Sequence, residues 1–248
     1  MKPLVSVIMP SYNAEQFIQE AMNSVLSQSY ASLELIVIDD ASTDRTRALI
    51  LETCKKDQRI QEIFLTTNSG TAIARNKGIE KAKGTWIAFL DADDVWATSK
   101  LELQLKMMEE ENVLFSYTNY DFMDEGGVKT INETSFKATL TYKDLLKSNF
   151  IGCLTVVYHQ DTLGKIYMPI LEKRQDYGTW LTILKMIPEA KGIDQKLAFY
   201  RVRRQSISSN KFEMLLWNWK LFFEIEQLGF WKSLQSLTFN IFYKIFRK

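Results

Sequence analysis

Histidine occurs once in these 248 residues, cysteine twice and proline four times, and none of the ten glycines comes before Gly70. Each scarcity excludes something. Cys54 and Cys153 stand far apart and in no metal-binding spacing, so they read as buried thiols of a reducing compartment and not as a disulfide or zinc framework. His159 ends a strand-like run with no partner in view, which suits a structural residue better than a base. A glycine-free start leaves the first strand without the Gly-x-Gly-x-x-Gly turn of dinucleotide folds and without a Gly-Lys-Ser/Thr phosphate loop. No apolar stretch reaches the roughly 18 residues that a spanning helix needs, and the few residues before the first strand leave no room for a signal peptide. A cytoplasmic protein is expected. The formal net charge of +1 provides no global field for nucleic acid. The length fits one domain with a sizeable core.

What is there centres on Trp86-Ile87-Ala88-Phe89-Leu90-Asp91-Ala92-Asp93-Asp94. The apolar part is short, aromatic and β-branched, as in a buried strand. Carboxylates crowded at its end repel one another and need a compensating cation. Residues two apart in an extended chain share a side, so Asp91 and Asp93 would aim at one point. Oxygen-only ligation suits Mg²⁺ or Mn²⁺, which keeps open positions for phosphate oxygens. The plainer alternative is a solvated acidic turn ahead of a helix beginning near Thr98 or Ser99.

Upstream, apolar β-rich runs at residues 4–9, 33–38 and 60–65 alternate with helical stretches at 14–28, 44–56 and 71–83. That alternation predicts right-handed βαβ units and a parallel sheet covered on both faces. Ligands of such sheets bind at the carboxyl ends of the strands. The polar groups there are Tyr12 and Asn13, Asp39 and Asp40, Asn68 and Gly70, then Asp91 and Asp93. Together they suggest a site for a nucleoside and its diphosphate.

The ordered motifs Val-Ser-Val-Ile-Met-Pro-Ser-Tyr-Asn, Val-Ile-Asp-Asp-Ala-Ser-Thr-Asp, Asn-Ser-Gly-Thr-Ala-Ile-Ala-Arg-Asn and Phe-Leu-Asp-Ala-Asp-Asp-Val-Trp closely resemble the family 2 inverting glycosyltransferases. The resemblance is dense over residues 5–96 and thinner to about 209. It implies an α/β, GT-A-type nucleotide-diphospho-sugar transferase fold, with a mostly parallel central sheet flanked by helices. Residues 1–209 would form the transferase domain, 1–96 its nucleotide-sugar half and 97–209 its acceptor half, with 210–248 a helical tail. By the same resemblance Pro10 and Tyr12 border the base, Asp40 meets a uracil-like edge or ribose with Asp39 in support, and Asn68, Gly70, Arg75, Asn76 and Ala92 complete the donor pocket. Asp91 and Asp93 match the metal-binding Asp-x-Asp for Mn²⁺ or Mg²⁺. The implied partners are a nucleotide-diphospho-sugar, most simply a UDP-sugar, and a glycan or lipid-linked acceptor in cell-surface polysaccharide assembly.

In the second half, strands are expected at residues 113–123, 128–131 and 154–158, and Lys173-Arg174-Gln175-Asp176 opens a helix. An Asp in a first turn stabilises the helix dipole, and the same place keeps a carboxylate ionised for proton abstraction. The resembled family often carries Glu-Asp here, with the Asp as base. This chain has Gln175-Asp176, so Asp176 is the expected base and Glu172 the next candidate. Arg201, Arg203 and Arg204 would grip a diphosphate, unless they form a solvated basic edge. The synthase signature Gln-x-x-Arg-Trp is absent, which points to one sugar added per encounter. The tail reads as two helices parted near Gly229. Residues 230–248 hold Lys232, Lys244, Arg247 and Lys248, no acid, and apolar residues at helical spacing. Such a helix would lie in an anionic membrane surface or pack on the domain or a twin subunit. The rival functions are a nucleotidyltransferase, which should carry a glycine-rich, lysine-bearing first loop, and a degenerate scaffold subunit, which should have lost one of the acids.

Overall fold

A computed structural model of the chain describes residues 2–130, 136–203 and 211–246. The first half alternates strand and helix as β1 (Val5–Ser11), α1 (Ile18–Leu26), β2 (Leu33–Asp39), α2 (Thr46–Cys54), β3 (Ile60–Phe64), α3 (Thr71–Lys81) and β4 (Trp86–Phe89). There follow β5 (Val95–Trp96), α4 (Lys100–Glu110), β6 (Phe115–Met123), β7 (Lys129–Thr130), β8 (Thr139–Leu140) and α5 (Tyr142–Lys147). The remainder comprises β9 (Val157–His159), α6 (Gln160–Leu163), α7 (Gln175–Met186), β10 (Ala190–Arg201), α8 (Lys211–Lys220) and α9 (Phe230–Phe246).

One sheet has the order β3-β2-β1-β4-β9-β6-β10-β5, with β7 on β6 and β8 on β10. Its long ladders, β1–β2, β1–β4, β2–β3 and β6–β10, are parallel. The antiparallel joints at β9, β5, β7 and β8 are short. Every residue of β1 and β2 is buried, as expected where helices cover both faces. Alternation along β1 sends Ile8 to one core with Ile79, Phe89 and Trp180, and Val7 and Met9 to the other with Ile18, Met22 and Leu101. So α3 and α7 cover one face while α1 and α4 cover the opposite one. The helix α3 lies so close because Gly78 lacks a side chain; a Cβ there would sit 2.5 Å from Ile8 Cγ2.

The strand expected at residues 154–158 is shorter. Cys153–Thr155 forms a 3-10 turn and only Val157–His159 pairs, antiparallel between β4 and β6. Of the expected strand at 128–131, Lys129–Thr130 pairs with β6, and Ile131 lies outside the described residues.

One buried charge has no acidic partner among the described residues. Lys100 is fully buried, donates from Nζ to Gln104 Oε1 at 2.8 Å and lies 4.2 Å from the Trp96 ring centre. Burial pulls its ammonium down to about 7 from 10.5. The unfolded chain therefore binds more protons than the folded one above pH 7, and stability rises with pH until the unfolded lysine titrates. Between pH 7 and 8.5, below the thiol range, the unfolding free energy should climb by about 1.4 kcal/mol per pH unit from this group. Urea titrations should show that climb in the natural chain and a flatter profile in Lys100→Met. Parallel profiles would refute it.

Candidate active site

A cavity of about 1180 Å³ opens along the carboxyl edge of the sheet. Its donor-side wall is Pro10, Tyr12, Asp40, Asn68, Gly70, Arg75 and the Asp91-Ala92-Asp93-Asp94 turn. Tyr12 presents a half-exposed ring at the lip. The exits of β1 and β2 are laced together, with Asn13 Oδ1 accepting from Thr43 N at 2.9 Å and Asn13 N donating to Ser42 Oγ at 2.9 Å. Asp39 and Asp40 divide the labour. Asp39 is fully buried, outside the cavity wall, and accepts from Arg47 Nε at 2.6 Å and Ser42 N at 3.1 Å. It braces the loop and does not face a ligand. Asp40 accepts from Ser69 N and Gly70 N, each at 2.8 Å, and so fixes the loop that bears Asn68. Gly70 supplies the positive φ of 87° that this loop needs before α3.

Asn76 takes a different place from the one expected. Its amide donates to Met168 O at 2.9 Å and accepts from Met168 N at 2.7 Å, outside the cavity wall. It ties α3 to the acceptor half and leaves the donor pocket to Arg75.

The acidic turn is held by arginines from elsewhere in the chain. Arg75 Nη2 meets Asp91 Oδ1 at 2.5 Å, and Arg203 Nε meets Asp93 Oδ2 at 2.9 Å. Asp94, almost fully buried, accepts from Arg201 N at 2.8 Å. Burial and then the neighbouring carboxylates push Asp93 up, and they push Asp94 well above the usual carboxylate range. Arg201 does not take the part expected of it in a three-arginine grip. Arg201 is buried and committed to Asp93 O, Asp124 O, Glu125 O and Glu20 Oε2. Arg203 holds Asp93, and Arg204 lies outside the described residues.

The donor set suits a hard divalent ion. Asp91 and Asp93 both line the cavity, and each meets its arginine through one carboxylate oxygen. No group of three or more His, Cys, Asp or Glu side chains placed for a metal occurs among the described residues. Two carboxylates alone fit an ion that takes its remaining oxygens from substrate phosphate and water.

Across the cavity, Asp176 sits in the first turn of α7, half-buried and in the cavity wall. The buried Arg75 lies within electrostatic reach of both Asp91 and Asp176. Burial alone would lower its guanidinium, but Asp91, Cys153 and Asp176 together raise it, so it stays charged. Glu172 is exposed in the same wall. His159 is structural, since its Nδ1 caps α6 by accepting from Thr162 N at 3.1 Å and its ring packs edge-on to Trp86 at 4.3 Å.

The family model for glycosyl transferase family 2 matches residues 6–232. The chain belongs to that family. TuaG of Bacillus subtilis (strain 168), a glycosyltransferase named for teichuronic acid biosynthesis, is 46% identical over 232 residues, which is 94% of this chain and 92% of TuaG. WfgD of Escherichia coli, named as a UDP-Glc:alpha-D-GlcNAc-diphosphoundecaprenol beta-1,3-glucosyltransferase, is 42% identical over 217 residues, 87% of this chain and 84% of WfgD. Among solved structures, S. aureus TarS 1-349 in complex with UDP superimposes with a TM-score of 0.72 at 22% identity, covering 94% of this chain and 69% of that one. Mannosyltransferase PcManGT from Pyrobaculum calidifontis, solved with GDP-Man and Mn2+, gives a TM-score of 0.65 at 20% identity, over 89% of this chain and 61% of that one. These similarities establish the GT-A-type fold.

For this family 2 transferase, the places that three residues of the quoted motifs take in the fold were not foreseen. Asp94 is the buried anchor of the acidic turn, and its position directly after Asp93 was the only local hint. Arg201 organises that turn from β10, with no local signal across the separation. Arg174 lines the cavity beside Asp176 in a left-handed backbone conformation, φ 70°.

Proposed function

We propose that the protein transfers one sugar from a UDP-sugar to a hydroxyl of a lipid-diphosphate-linked glycan, with inversion at the anomeric carbon, during assembly of a cell-surface polysaccharide. One observation carries this reading. A braced Asp91–Asp93 pair and a separate carboxylate, Asp176, line a single cavity, with buried Arg75 between their fields. UDP and UDP-GlcNAc complexes of TarS and the UDP-Glc donor in WfgD's name support uridine. WfgD's name likewise supports a lipid-diphosphate acceptor.

In this mechanism Tyr12 covers the base, and the loop fixed by Asp40 shapes the ribose end. Asp91 and Asp93 would hold Mn²⁺ or Mg²⁺, whose charge would offset that building on the leaving diphosphate. Asp176 removes the proton from the acceptor hydroxyl, which attacks the anomeric carbon opposite the diphosphate. No covalent sugar–enzyme intermediate is required. Tyr120, Phe122 and Tyr200 line the cavity in one aromatic run, with ring centres 5.5 Å and 5.9 Å apart, and offer faces for acceptor sugars. The test is a panel of nucleotide sugars with Mn²⁺ and a synthetic lipid-diphosphate sugar. One uridine donor should yield an acceptor longer by one sugar. Binding of no nucleotide sugar would refute the reading.

The tail belongs to the same proposal. No helix among the described residues is long and apolar enough to cross a membrane. Yet α9 turns Ser233, Ser236 and Asn240 inward, with Asn240 Nδ2 donating to Leu146 O at 3.3 Å, while Phe230, Trp231 and Phe242 are exposed. Leu216, Phe223 and Ile225 extend the exposed apolar surface. The absence of any acid over residues 230–248 matches an anionic lipid surface. A self-associating contact through α9 would instead set like charges together. Pelleting with anionic vesicles, weaker with neutral ones and in high salt, is expected. A chain ended after Gln227 should bind UDP but no longer pellet. Loss of fold or of a dimer on that truncation would make the tail a packing element.

A further inference from the structure

We propose that Arg174 is an anion site of the acceptor half, which takes the phosphate nearest the acceptor sugar; this rests on the lipid-diphosphate reading above. The other cations of the cavity wall are engaged. Arg75 and Arg203 each hold an aspartate, and Lys173 is paired with Glu213 at 2.7 Å. Lys137 lies 3.5 Å from Asp144. Arg174 has no such partner among the described residues. Its Nε is sealed from solvent without a hydrogen bond, and among the described residues none of its guanidinium nitrogens donates to an acceptor or forms an ion pair. Arg174 is half-buried, and a guanidinium even partly withdrawn from water without a paired counterion is costly. Burial accordingly pulls Arg174 down from its ordinary value.

The backbone adds a second cost. Arg174 has φ 70° and ψ 12°, a left-handed conformation that side chains other than glycine and asparagine rarely adopt. Strain of this kind persists where the surroundings and a function demand one placement. Here it places Arg174 in the cavity wall, two residues before Asp176. An incoming phosphate would supply the missing counterion and match the planar fork of donors.

The anion is not the donor's diphosphate. That end of the cavity is served by Asp91, Asp93, Arg75 and Arg203. The carboxylate whose charge acts on Arg174 is that of Asp176. Asp176 thus acts on two arginines of the same cavity, Arg75, which already holds Asp91, and Arg174, which holds no carboxylate among the described residues. An acceptor with its hydroxyl at Asp176 and its phosphate at Arg174 is held at both ends of one sugar ring.

The test compares two acceptors bearing the same sugar, one on an alkyl diphosphate and one on an uncharged alkyl glycoside. Arg174→Asn suits the left-handed backbone and removes the charge, and Arg174→Lys restores charge without the fork. Arg174→Asn should raise KM for the diphosphate acceptor roughly ten- to hundredfold and lower the kcat/KM ratio between the two acceptors by the same factor. Arg174→Lys should recover part of the ratio, and UDP affinity by calorimetry should hold in both. An unchanged ratio, with both acceptors slowed alike, would overturn the proposal and place Arg174 in support of Asp176. A loss of UDP affinity would overturn it in favour of the donor. If the natural enzyme used neither acceptor but still bound the donor, the acceptor reading itself would fall, and the role of Arg174 with it.

Discussion

Replacing Asp176 with asparagine should reduce sugar transfer by roughly two to four orders of magnitude while UDP still binds. The two side chains are nearly isosteric, so the first turn of α7 and the cavity wall should survive the change. The amide cannot accept the hydroxyl proton at neutral pH, and no histidine can substitute, since His159 is occupied as the cap of α6. Single-turnover transfer and UDP titration on the same preparation make the check. Transfer near the natural rate would move the base elsewhere, and Glu172, exposed in the same wall, would be the next residue to replace.

The second large effect concerns charge at the acidic turn. UDP affinity in Mn²⁺ should exceed that in chelator by roughly ten- to hundredfold, the scale of a lost charge-assisted contact or two. Asp93→Ala should abolish that difference. The variant also releases Arg203, whose guanidinium is then available to the diphosphate. Its metal-free affinity should therefore match or exceed that of the natural chain, and Asp93→Ala with Arg203→Ala should remove this residual binding. Equal affinity of the natural chain in metal and in chelator would sink the metal assignment.

The parallel half of the fold was legible because its signals are local. Strands buried on both faces read as continuous apolar runs, and β1, β2 and β4 each end in polar residues that mark the ligand edge. The aspartates were found for the same reason, but their duties were not. Two adjacent acids after β2 look alike in sequence, and only the arrival of Arg47 and of the 69–70 backbone assigns Asp39 to bracing and Asp40 to the cavity. The β9 strand was overextended because residues 154–158 are apolar enough for a strand, whereas the chain turns at Cys153–Thr155 before it pairs. In α9 the periodicity was readable but the inward face was not. Leu234 and Ile241 stay exposed while Ser233, Ser236 and Asn240 are buried, because the groove beside α5 offers a carbonyl, Leu146 O, to the amide of Asn240.

Arg201 also has a bearing on the order in which the enzyme is assembled. Its guanidinium reaches Glu20, 181 residues upstream, and the carbonyl of Asp93, 108 residues upstream. Contacts of such separation form late, after the cost of closing a long loop has been met. During synthesis the donor half emerges with all its aspartates, yet Asp93 and Asp94 lack their arginine partners until β10 has left the ribosome and joined β6. A nascent chain that stops short of β10 therefore carries every donor motif but not a finished donor site, and the site is complete only once Arg201 and Arg203 have joined the acidic turn.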